Sequence, residues 1–183
     1  MSNPSPAGEI GFRPLDYADL PLMQRWRGEP HVRRFYGDPC SLEELQAKYG
    51  PRIEGTSPTH SFVMLWNGEP IGYIQTYRIE DHPEYAAAVD VGPGAAGVDL
   101  YIGDPRLIQR GLGTRILKAF LDTHVFSDPT VRRCVLGPDP NNHAAIRCYE
   151  KVGFRFLKKV TAPGETRPEW LMVLESVTFH SSG

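Results

Sequence analysis

Ile108-Gln109-Arg110-Gly111-Leu112-Gly113-Thr114 is a glycine-containing stretch that stands directly before a run of helical character, Arg115 to Phe126. Its two glycines allow the backbone to approach a ligand closely and to adopt unusual φ/ψ angles. The first amides of the following helix have no partner within the helix, and together with the helix dipole they favour an anion. The stretch therefore predicts a loop that holds a diphosphate, with a plain turn before a helix as the alternative.

A second stretch, Asn142-His143-Ala144-Ala145-Ile146-Arg147-Cys148-Tyr149-Glu150-Lys151-Val152-Gly153-Phe154, is typical of a short helix that ends at a glycine. Tyr149 falls on its apolar face. Asn142 stands at the start, where an asparagine either caps the helix or contacts a ligand. These two stretches are the parts of the chain that most strongly indicate chemistry.

Length and composition predict one globular domain. The chain has 183 residues, of which 40% are hydrophobic and 23% charged. No apolar run approaches the ~20 residues of a membrane helix, and residues 1–8 lack the features of a secretory signal. We expect residues 1–8 to be a flexible leader, residues 9–176 to form a single domain, and residues 177–183 to be a tail.

Charge and cysteine content exclude further classes of protein. The net charge of −2 argues against a nucleic-acid-binding surface. Cys40, Cys134 and Cys148 are an odd number of cysteines at no metal-ligand spacing. They predict free thiols in a reducing cytoplasm and no metal site.

The first half of the chain predicts a strand, two helices and a hairpin. Ile10 to Pro14 is the strand, and Asp16 and Asp19 are candidate caps of a helix through Trp26. Ser41 and Glu44 form a capping box for a helix to about Tyr49, which we expect Gly50-Pro51 to end. The hairpin pairs Ser61–Trp66 with Pro70–Tyr77 around Asn67-Gly68.

The second half predicts alternating strands and helices. We expect Arg78 to Pro93 to be irregular and Gly97 to Ile102 to be a strand. After the helix that follows the glycines, the remaining predicted elements are the strand Val131–Leu136, the helix Asn142–Val152 and the strands Phe154–Thr161 and Glu169–Leu174. This order predicts a mixed α/β sheet with right-handed strand–helix–strand units.

These motifs resemble those of the GNAT superfamily of acetyl-CoA-dependent N-acetyltransferases. Asn142, Ala145, Tyr149, Gly153 and Phe154 match the pattern N-x-x-A-x-x-x-Y-x-x-x-G-F without a gap. The loop pattern R/Q-x-x-G-x-G/A is matched at its glycines but departs at Ile108. The resemblance implies a GNAT fold, with a mixed central sheet of about seven strands, about four flanking helices, and parallel strands that splay apart at the CoA site. The cofactor-binding residues it implies are Leu100, Tyr101, Ile102, Arg110, Gly111, Leu112, Gly113, Thr114 and Asn142.

A narrower resemblance is to the aminoglycoside 6′-N-acetyltransferases. It is carried above all by Ala145-Ile146-Arg147-Cys148-Tyr149-Glu150-Lys151, and also by Asn67-Gly68-Glu69-Pro70-Ile71-Gly72-Tyr73. It implies that Asp99 is the carboxylate beside the acceptor amine and that Tyr149 is the acid facing the CoA sulfur. The chain departs from this family at Gly137, where an acidic residue is frequent, and Asp139 is a candidate replacement.

The chemistry of these two side chains suits acetyl transfer to an amine. An aspartate is an anion at neutral pH, so Asp99 can attract an ammonium and accept its proton directly or through water. A tyrosine stays protonated at pH 7, so Tyr149 can donate a proton to a departing thiolate. A solvent-facing carboxylate and a core aromatic are the corresponding structural alternatives.

An aminoglycoside is a rigid polycation, so its site is expected to be an acidic, partly open cleft. The substrate-binding residues that we predict are the aromatic Trp26 and Tyr36 and the acidic Asp81, Glu84, Asp99 and Asp139. Each acid taken alone is as readily explained as solvated surface.

Three functions are compatible with these residues. The first is direct transfer of an acetyl group from acetyl-CoA to the 6′-amine of an aminoglycoside antibiotic, which confers resistance, in a cytoplasmic monomer or homodimer. The second is a GNAT enzyme that acts on another amine, such as a siderophore hydroxylamine, a lysine-like amine or a protein N-terminus. The third is a CoA-binding module without catalysis, against which the presence of both Asp99 and Tyr149 argues.

Overall fold

The computed structural model describes residues 8–177. Its strands are β1 (Ile10–Pro14), β2 (His60–Trp66), β3 (Glu69–Arg78), β4 (Ala95–Ile102), β5 (Arg133–Leu136), β6 (Arg155–Val160) and β7 (Glu169–Glu175). The six α-helices of this part of the chain are α1 (Leu20–Gly28), α2 (Pro30–Tyr36), α3 (Leu42–Ile53), α4 (Pro83–Val89), α5 (Leu112–Phe120) and α6 (His143–Val152). The expected leader and tail lie almost wholly outside the described residues.

The strands form a mixed seven-stranded sheet in the order β1-β2-β3-β4-β5-β7-β6. β1 and β2 are antiparallel, whereas β4 and β5, which helix α5 connects, are parallel neighbours. The last strand of the chain, β7, inserts between β5 and β6 and runs antiparallel to both. The predicted mixed α/β sheet of about seven strands is therefore confirmed.

The ladder between the parallel strands is short. β4 pairs with β5 at Ala95–Arg133, Ala96–Cys134 and Gly97–Val135, although β4 continues to Ile102. The ladder therefore ends at Gly97, one residue before β5 itself ends at Leu136, and the splay of the two strands stays a prediction. Asp99 lies two residues beyond the last pair of this ladder.

The chain folds into two compact units, of which the first comprises the residues up to Gln75 together with Leu100–Ile116. Its core forms where the apolar faces of α1, α2 and α3 meet the strands. The buried residues of this core are Leu15, Leu20, Met23, Trp26, Val32, Leu45, Tyr49, Val63, Tyr73 and Tyr101. Asn67 and Gly68 have φ angles of 50° and 81°, and this left-handed pair turns the predicted hairpin between β2 and β3.

The second unit comprises Thr76–Asp99 and the residues from Leu117 onward. Its core is built from β4, β5, β6 and β7 with α4 and the turn before it. The buried residues of this core are Ile79, Val89, Val91, Ala95, Val135, Val160, Leu171 and Val173. Short β-branched side chains dominate this set, as is usual for strands that are covered on one face.

Two helices begin at prolines and were not predicted. Helix α2 starts at Pro30, and α4 starts at Pro83 within the segment Arg78–Pro93 that we expected to be irregular. That expectation is wrong because proline is favourable at the first helical position, where the missing N–H would have no partner. The described residues therefore contain six α-helices instead of about four.

Two helix ends also differ from the prediction. The capping box of Ser41 and Glu44 opens α3 as expected, but α3 continues through Pro51 to Ile53. The Gly50 carbonyl accepts the Glu54 N–H at 2.9 Å, so the chain closes one more turn after the point at which we expected the helix to end. Beyond α5, a π-helical turn covers Leu121–Val125 and ends one residue before the predicted Phe126.

Candidate active site

Asp99 is half-buried on β4 beside an aromatic wall. Gly97 precedes it by two residues and therefore lies on the same face of the strand. A methyl group on Gly97 would lie 2.4 Å from Cζ of Tyr77, so the Tyr77 ring fills the space of the missing side chain. Burial first, and then the charge of Asp99, raises the pKa of the Tyr77 phenol well above its ordinary value. Asp99 is thus flanked by a phenol that stays neutral.

Tyr149 lies near Asp99, as the roles predicted for the two side chains require. It is buried on α6, and burial, then Cys148 and Asp99, raise the pKa of its phenol above its ordinary value. The phenol therefore holds its proton throughout the neutral range. Gly153, with a φ of 116°, ends α6, and its N–H donates to the Tyr149 carbonyl at 3.1 Å. Gly153 therefore ends α6 one turn after Tyr149 and helps to hold Tyr149 in place.

Asn142 caps helix α6. Its Oδ1 accepts the Ala145 N–H at 3.2 Å. This confirms the capping alternative for its side-chain oxygen, and its contact with the cofactor stays a prediction.

Glu169, at the start of β7, was not predicted from the sequence. Its Oε2 accepts a hydrogen bond from the Tyr85 hydroxyl at 3.3 Å. Burial first, and then the charge of Asp99, raises the pKa of the Glu169 carboxyl to about 7. No local pattern indicates this position, because Glu169 meets the surroundings of Asp99 only through the insertion of β7 beside β5.

The other predicted acids also lie in the second unit. Asp81 and Glu84 are exposed, at the end of a 3-10 turn and in the first turn of α4. Asp139 is half-buried, and its Oδ1 accepts the Asn141 N–H at 2.8 Å. Their contacts with substrate stay predictions.

The first unit contains the glycine loop, residues 108–114, which leads into α5. Gln109 and Gly111 have φ angles of 59° and 73°, so the loop turns sharply before the helix. Leu112 and Ile116 are fully buried and fix the first turns of α5, and no acidic residue stands in its first turn. Arg110 and Gly111 are exposed. The positive end of α5, without an acidic residue in its first turn, suits an anionic ligand.

Arg115, which directly follows the loop, is a further candidate for a phosphate contact. Its guanidinium donates to the Gly8 carbonyl at 3.0 Å and lies 5.1 Å from the ring centre of Trp66. Part of its hydrogen-bonding capacity is therefore used within the first unit.

The end of β4 is bound by side chains from α2. The Tyr36 hydroxyl donates to the Leu100 carbonyl, and Nε2 of His31 pairs with the Ile102 carbonyl at 2.8 Å. The Tyr36 ring meets Tyr101 edge-on at 5.0 Å. Helix α2, which was not predicted, therefore positions three residues that were predicted to bind the cofactor.

Of the two aromatic residues predicted to contact substrate, only Tyr36 is exposed. Trp26 has an exposure of 6% and packs in the core of the first unit. A methyl group on Gly103 would lie 2.0 Å from the Trp26 ring, so the indole rests against the chain just after β4. This burial favours a core role for Trp26, and its contact with a sugar ring stays a prediction.

In the part of the chain that is described, no helix combines the length and the apolar character needed to cross a membrane.

A glycine loop before α5, a short ladder between parallel strands and a tyrosine on α6 near a strand carboxylate are the features expected of an acyltransferase of the GNAT type. The model of the family "Acetyltransferase (GNAT) domain" matches residues 16–162, so the chain belongs to the GNAT acetyltransferase family. Within it, the chain is 31% identical over 157 residues to "Aminoglycoside N(6')-acetyltransferase type 1" of Klebsiella pneumoniae, covering 84% of this chain and 78% of the relative.

Two further comparisons bear on the substrate. A crystal structure of the aminoglycoside acetyltransferase AAC(6')-Ib in complex with coenzyme A and kanamycin superposes with a TM-score of 0.83 at 28% identity, covering 95% of this chain and 99% of that one. "Lysine N-acyltransferase MbtK" of Mycobacterium tuberculosis is 26% identical over 160 residues, which cover 84% of this chain and 72% of the relative.

Proposed function

We propose that this chain transfers the acetyl group of acetyl-CoA to the 6′-amine of aminoglycoside antibiotics, by direct transfer in a ternary complex, and so confers resistance. The observation that carries the proposal is the half-buried Asp99, placed just beyond the end of the β4–β5 ladder with its charge acting on the phenol of Tyr149. Amide formation from a thioester needs two groups. One is a carboxylate that attracts the ammonium, and the other is an acid that is still protonated at neutral pH and can donate to the leaving sulfur. The named relatives support the choice of acceptor.

The residues of the first unit fit the donor. The loop amides that lead into α5, with Arg110, bind the diphosphate, and the segment Leu100–Ile102 lines the pantetheine arm. Asn142 is a further contact in this proposal. Bound acetyl-CoA supplies the activated acetyl group as a thioester.

Asp99 and Tyr149 divide the proton transfers between them. Asp99 orients the acceptor ammonium and takes its proton, which leaves a neutral amine able to attack. As the C–N bond forms and the C–S bond breaks, Tyr149 gives its proton to the leaving sulfur and is reprotonated by the second proton of the acylated nitrogen, while Asp99 passes the first proton to solvent. Most of the rate then comes from holding the reactants in position, which can contribute roughly 7–11 kcal/mol.

The acceptor is held by acids and a flat aromatic surface. In this proposal Asp81, Glu84 and Asp139 supply negative charge for the other ammonium groups, and the exposed Tyr36 supplies an apolar face. Trp26 is retained in this set as a supporting residue. The proposal places the enzyme in the cytoplasm, where acetyl-CoA is available, as a monomer or homodimer.

A second candidate is acylation of a lysine-like amine, which the similarity to the lysine N-acyltransferase MbtK favours. Two carboxyl groups whose charges act on each other, Asp99 and Glu169, suit a polycation better than a single amine with an apolar acyl chain. The test must therefore include both classes of acceptor.

The test is release of the CoA thiol from acetyl-CoA, with kanamycin, tobramycin and their 6′-hydroxyl counterparts as acceptors, and with N-hydroxylysine and lysine in parallel. We expect fast release with the 6′-amines and none with the 6′-hydroxyls. Release with N-hydroxylysine alone would replace the proposal by the second candidate, and mass spectrometry of the product would locate the acetyl group.

A further inference from the structure

The carboxylate of Glu169 fills the space beside Gly137 at the end of β5. A methyl group on Gly137 would lie 2.3 Å from Oε2 and 2.9 Å from Cδ of Glu169. The Trp170 N–H donates to the Pro138 carbonyl at 2.8 Å and fixes the start of β7 beside this turn. The carboxylate of Glu169, which belongs to β7, therefore occupies the space that a side chain at position 137 would fill.

The surroundings of Glu169 contain acids and phenols. The groups whose charges or hydrogen bonds act on it are Asp99 from β4, Tyr85 from α4, Tyr77 from β3 and Glu165 from the turn before β7. Tyr85 donates to Oε2 at 3.3 Å, which is a long hydrogen bond. Glu169 and Asp99 repel each other when both are ionised, and a half-buried pair of like charges has a cost that a bound cation removes.

We propose that Glu169 is the second carboxylate of the acceptor site, where it binds the ammonium groups of a polycationic acceptor together with Asp99. This inference rests on the proposed function. Asp99 holds the amine that reacts, and Glu169 holds a neighbouring ammonium of the same molecule. The role of Glu169 is to bind and select the acceptor, and no bond to it forms or breaks.

The proton balance of binding follows from this placement. Since the pKa of the Glu169 carboxyl is about 7, the group is about half protonated at neutral pH in the free protein. An ammonium beside it favours the ionised form, so acceptor binding at pH 7 releases up to about half a proton from Glu169. A carboxyl remote from the bound ammonium groups would release none.

Position 137 allows the carboxylate to be relocated. Gly137 is not among the residues with positive φ, so an aspartate there needs only space. The Glu169→Ala change removes the two atoms within 3.0 Å, Oε2 and Cδ, and leaves only the Cβ of residue 169 at 3.1 Å, which must shift by a few tenths of an ångström. The double variant Glu169→Ala/Gly137→Asp therefore places a carboxylate in the same region of space, but attached to the residue that follows β5. It tests whether the site needs a carboxylate at that place, whichever residue carries it.

The experiment compares the wild-type protein with Glu169→Gln, Glu169→Ala and the double variant. Glu150→Gln is the matched control, because Glu150 is an exposed glutamate of the same unit. Initial rates give kcat/KM for kanamycin and KM for acetyl-CoA. Calorimetry of kanamycin binding at pH 7, in two buffers of different ionisation enthalpy, gives the protons released.

We expect Glu169→Gln and Glu169→Ala to lower kcat/KM for kanamycin about tenfold or more, with KM for acetyl-CoA unchanged within about twofold. Proton release falls relative to the wild type in Glu169→Gln, the double variant recovers most of the lost kcat/KM, and Glu150→Gln behaves as the wild type. A wild-type kcat/KM in Glu169→Gln overturns the inference, as does unchanged proton release or a double variant without recovery. A wild-type protein that acetylates no aminoglycoside overturns the proposed function as well, so the two failures are distinguishable.

Discussion

The ring of Tyr77 occupies the volume that a side chain on Gly97 would need, and it does so on the face of β4 that carries Asp99. The distance of 2.4 Å from an added methyl group to Tyr77 Cζ leaves no room for even the smallest side chain. The Tyr77 ring also meets His82 edge-on at 5.0 Å. The wall beside Asp99 is therefore built on a glycine of the same strand.

This relationship predicts the effect of Gly97→Ala. The added methyl group must displace Tyr77, because the neighbouring atom is part of a rigid ring and not the end of a flexible chain. We expect a loss of about 1–3 kcal/mol in the free energy of unfolding, from urea titration, together with a raised KM for the acceptor. Gly92→Ala is a useful comparison, since no atom lies within 4 Å of a methyl group there but φ is +75° and the strain is confined to the backbone. Wild-type stability and KM in Gly97→Ala would contradict the packing described.

Asp99→Asn removes the charge and keeps the shape. We expect turnover with kanamycin to fall about 10²- to 10⁴-fold, the range typical of a lost general base. The melting temperature should change little, since Asp99 is half-buried near other acids whose repulsion the substitution relieves. Steady-state kinetics and a thermal melt measure the two effects, and near-wild-type turnover would count against the role of Asp99.

Tyr149→Phe removes a hydroxyl that is protonated throughout the neutral range. Because the ring and its contact with Phe154, 6.3 Å between ring centres, are retained, the fold should be unaffected. We expect kcat to fall about 10²-fold and the affinity for CoA to change by less than about threefold. Rapid-quench kinetics separates the chemical step from product release, and an unchanged chemical step would exclude Tyr149 as the acid.

Glu169 also predicts how stability depends on pH. The pKa of its carboxyl is raised from 4.5 to about 7 in the folded protein, so the folded state binds more protons than the unfolded state between these values. The resulting stabilisation is complete below the unfolded pKa and is lost as pH rises through 7. Glu169→Gln does not titrate. After allowance for solvent screening of a partly exposed carboxyl, we expect the wild type to lose about 1–2 kcal/mol relative to the variant between pH 5 and pH 8. Urea titrations of both proteins at the two pH values measure this difference. An equal change in the free energy of unfolding for the wild type and the variant would contradict the prediction.

The sequence predicted the elements whose signals are local. Asn67-Gly68 located the hairpin, Ser41 and Glu44 located the start of α3, and the glycine stretch located α5. The prolines led to two kinds of wrong prediction, helices that were missed and a helix that was ended too early. Pro30 and Pro83 begin helices, and Pro51 lies inside one, because the effect of a proline depends on the position it takes within a helical turn.

The candidate site could be predicted only in part, for a different reason. Asp99 and Tyr149 carry motifs, so their roles could be inferred before their surroundings were known. Glu169 and Gly137 are brought together by the order of strands, in which β7 enters beside β5. Strand order depends on packing over the whole sheet. Gly137 and Glu169 lie 32 positions apart in the chain, and no local sequence pattern predicts that they meet. The hydrogen bonds from side chains of α2 to carbonyls of β4 could not be predicted either, since the helix itself was not predicted.

His31 and Tyr36 reach the carbonyls of Ile102 and Leu100, and a carbonyl is present whatever side chain the residue bears. The attachment of α2 to β4 is therefore independent of the identity of residues 100 and 102. A substitution at Ile102, which is only partly buried, keeps the acceptor of the His31 hydrogen bond in place. A substitution at Leu100 also keeps its carbonyl, but it changes a buried side chain, so position 102 is the one at which the end of β4 can vary with less loss of packing.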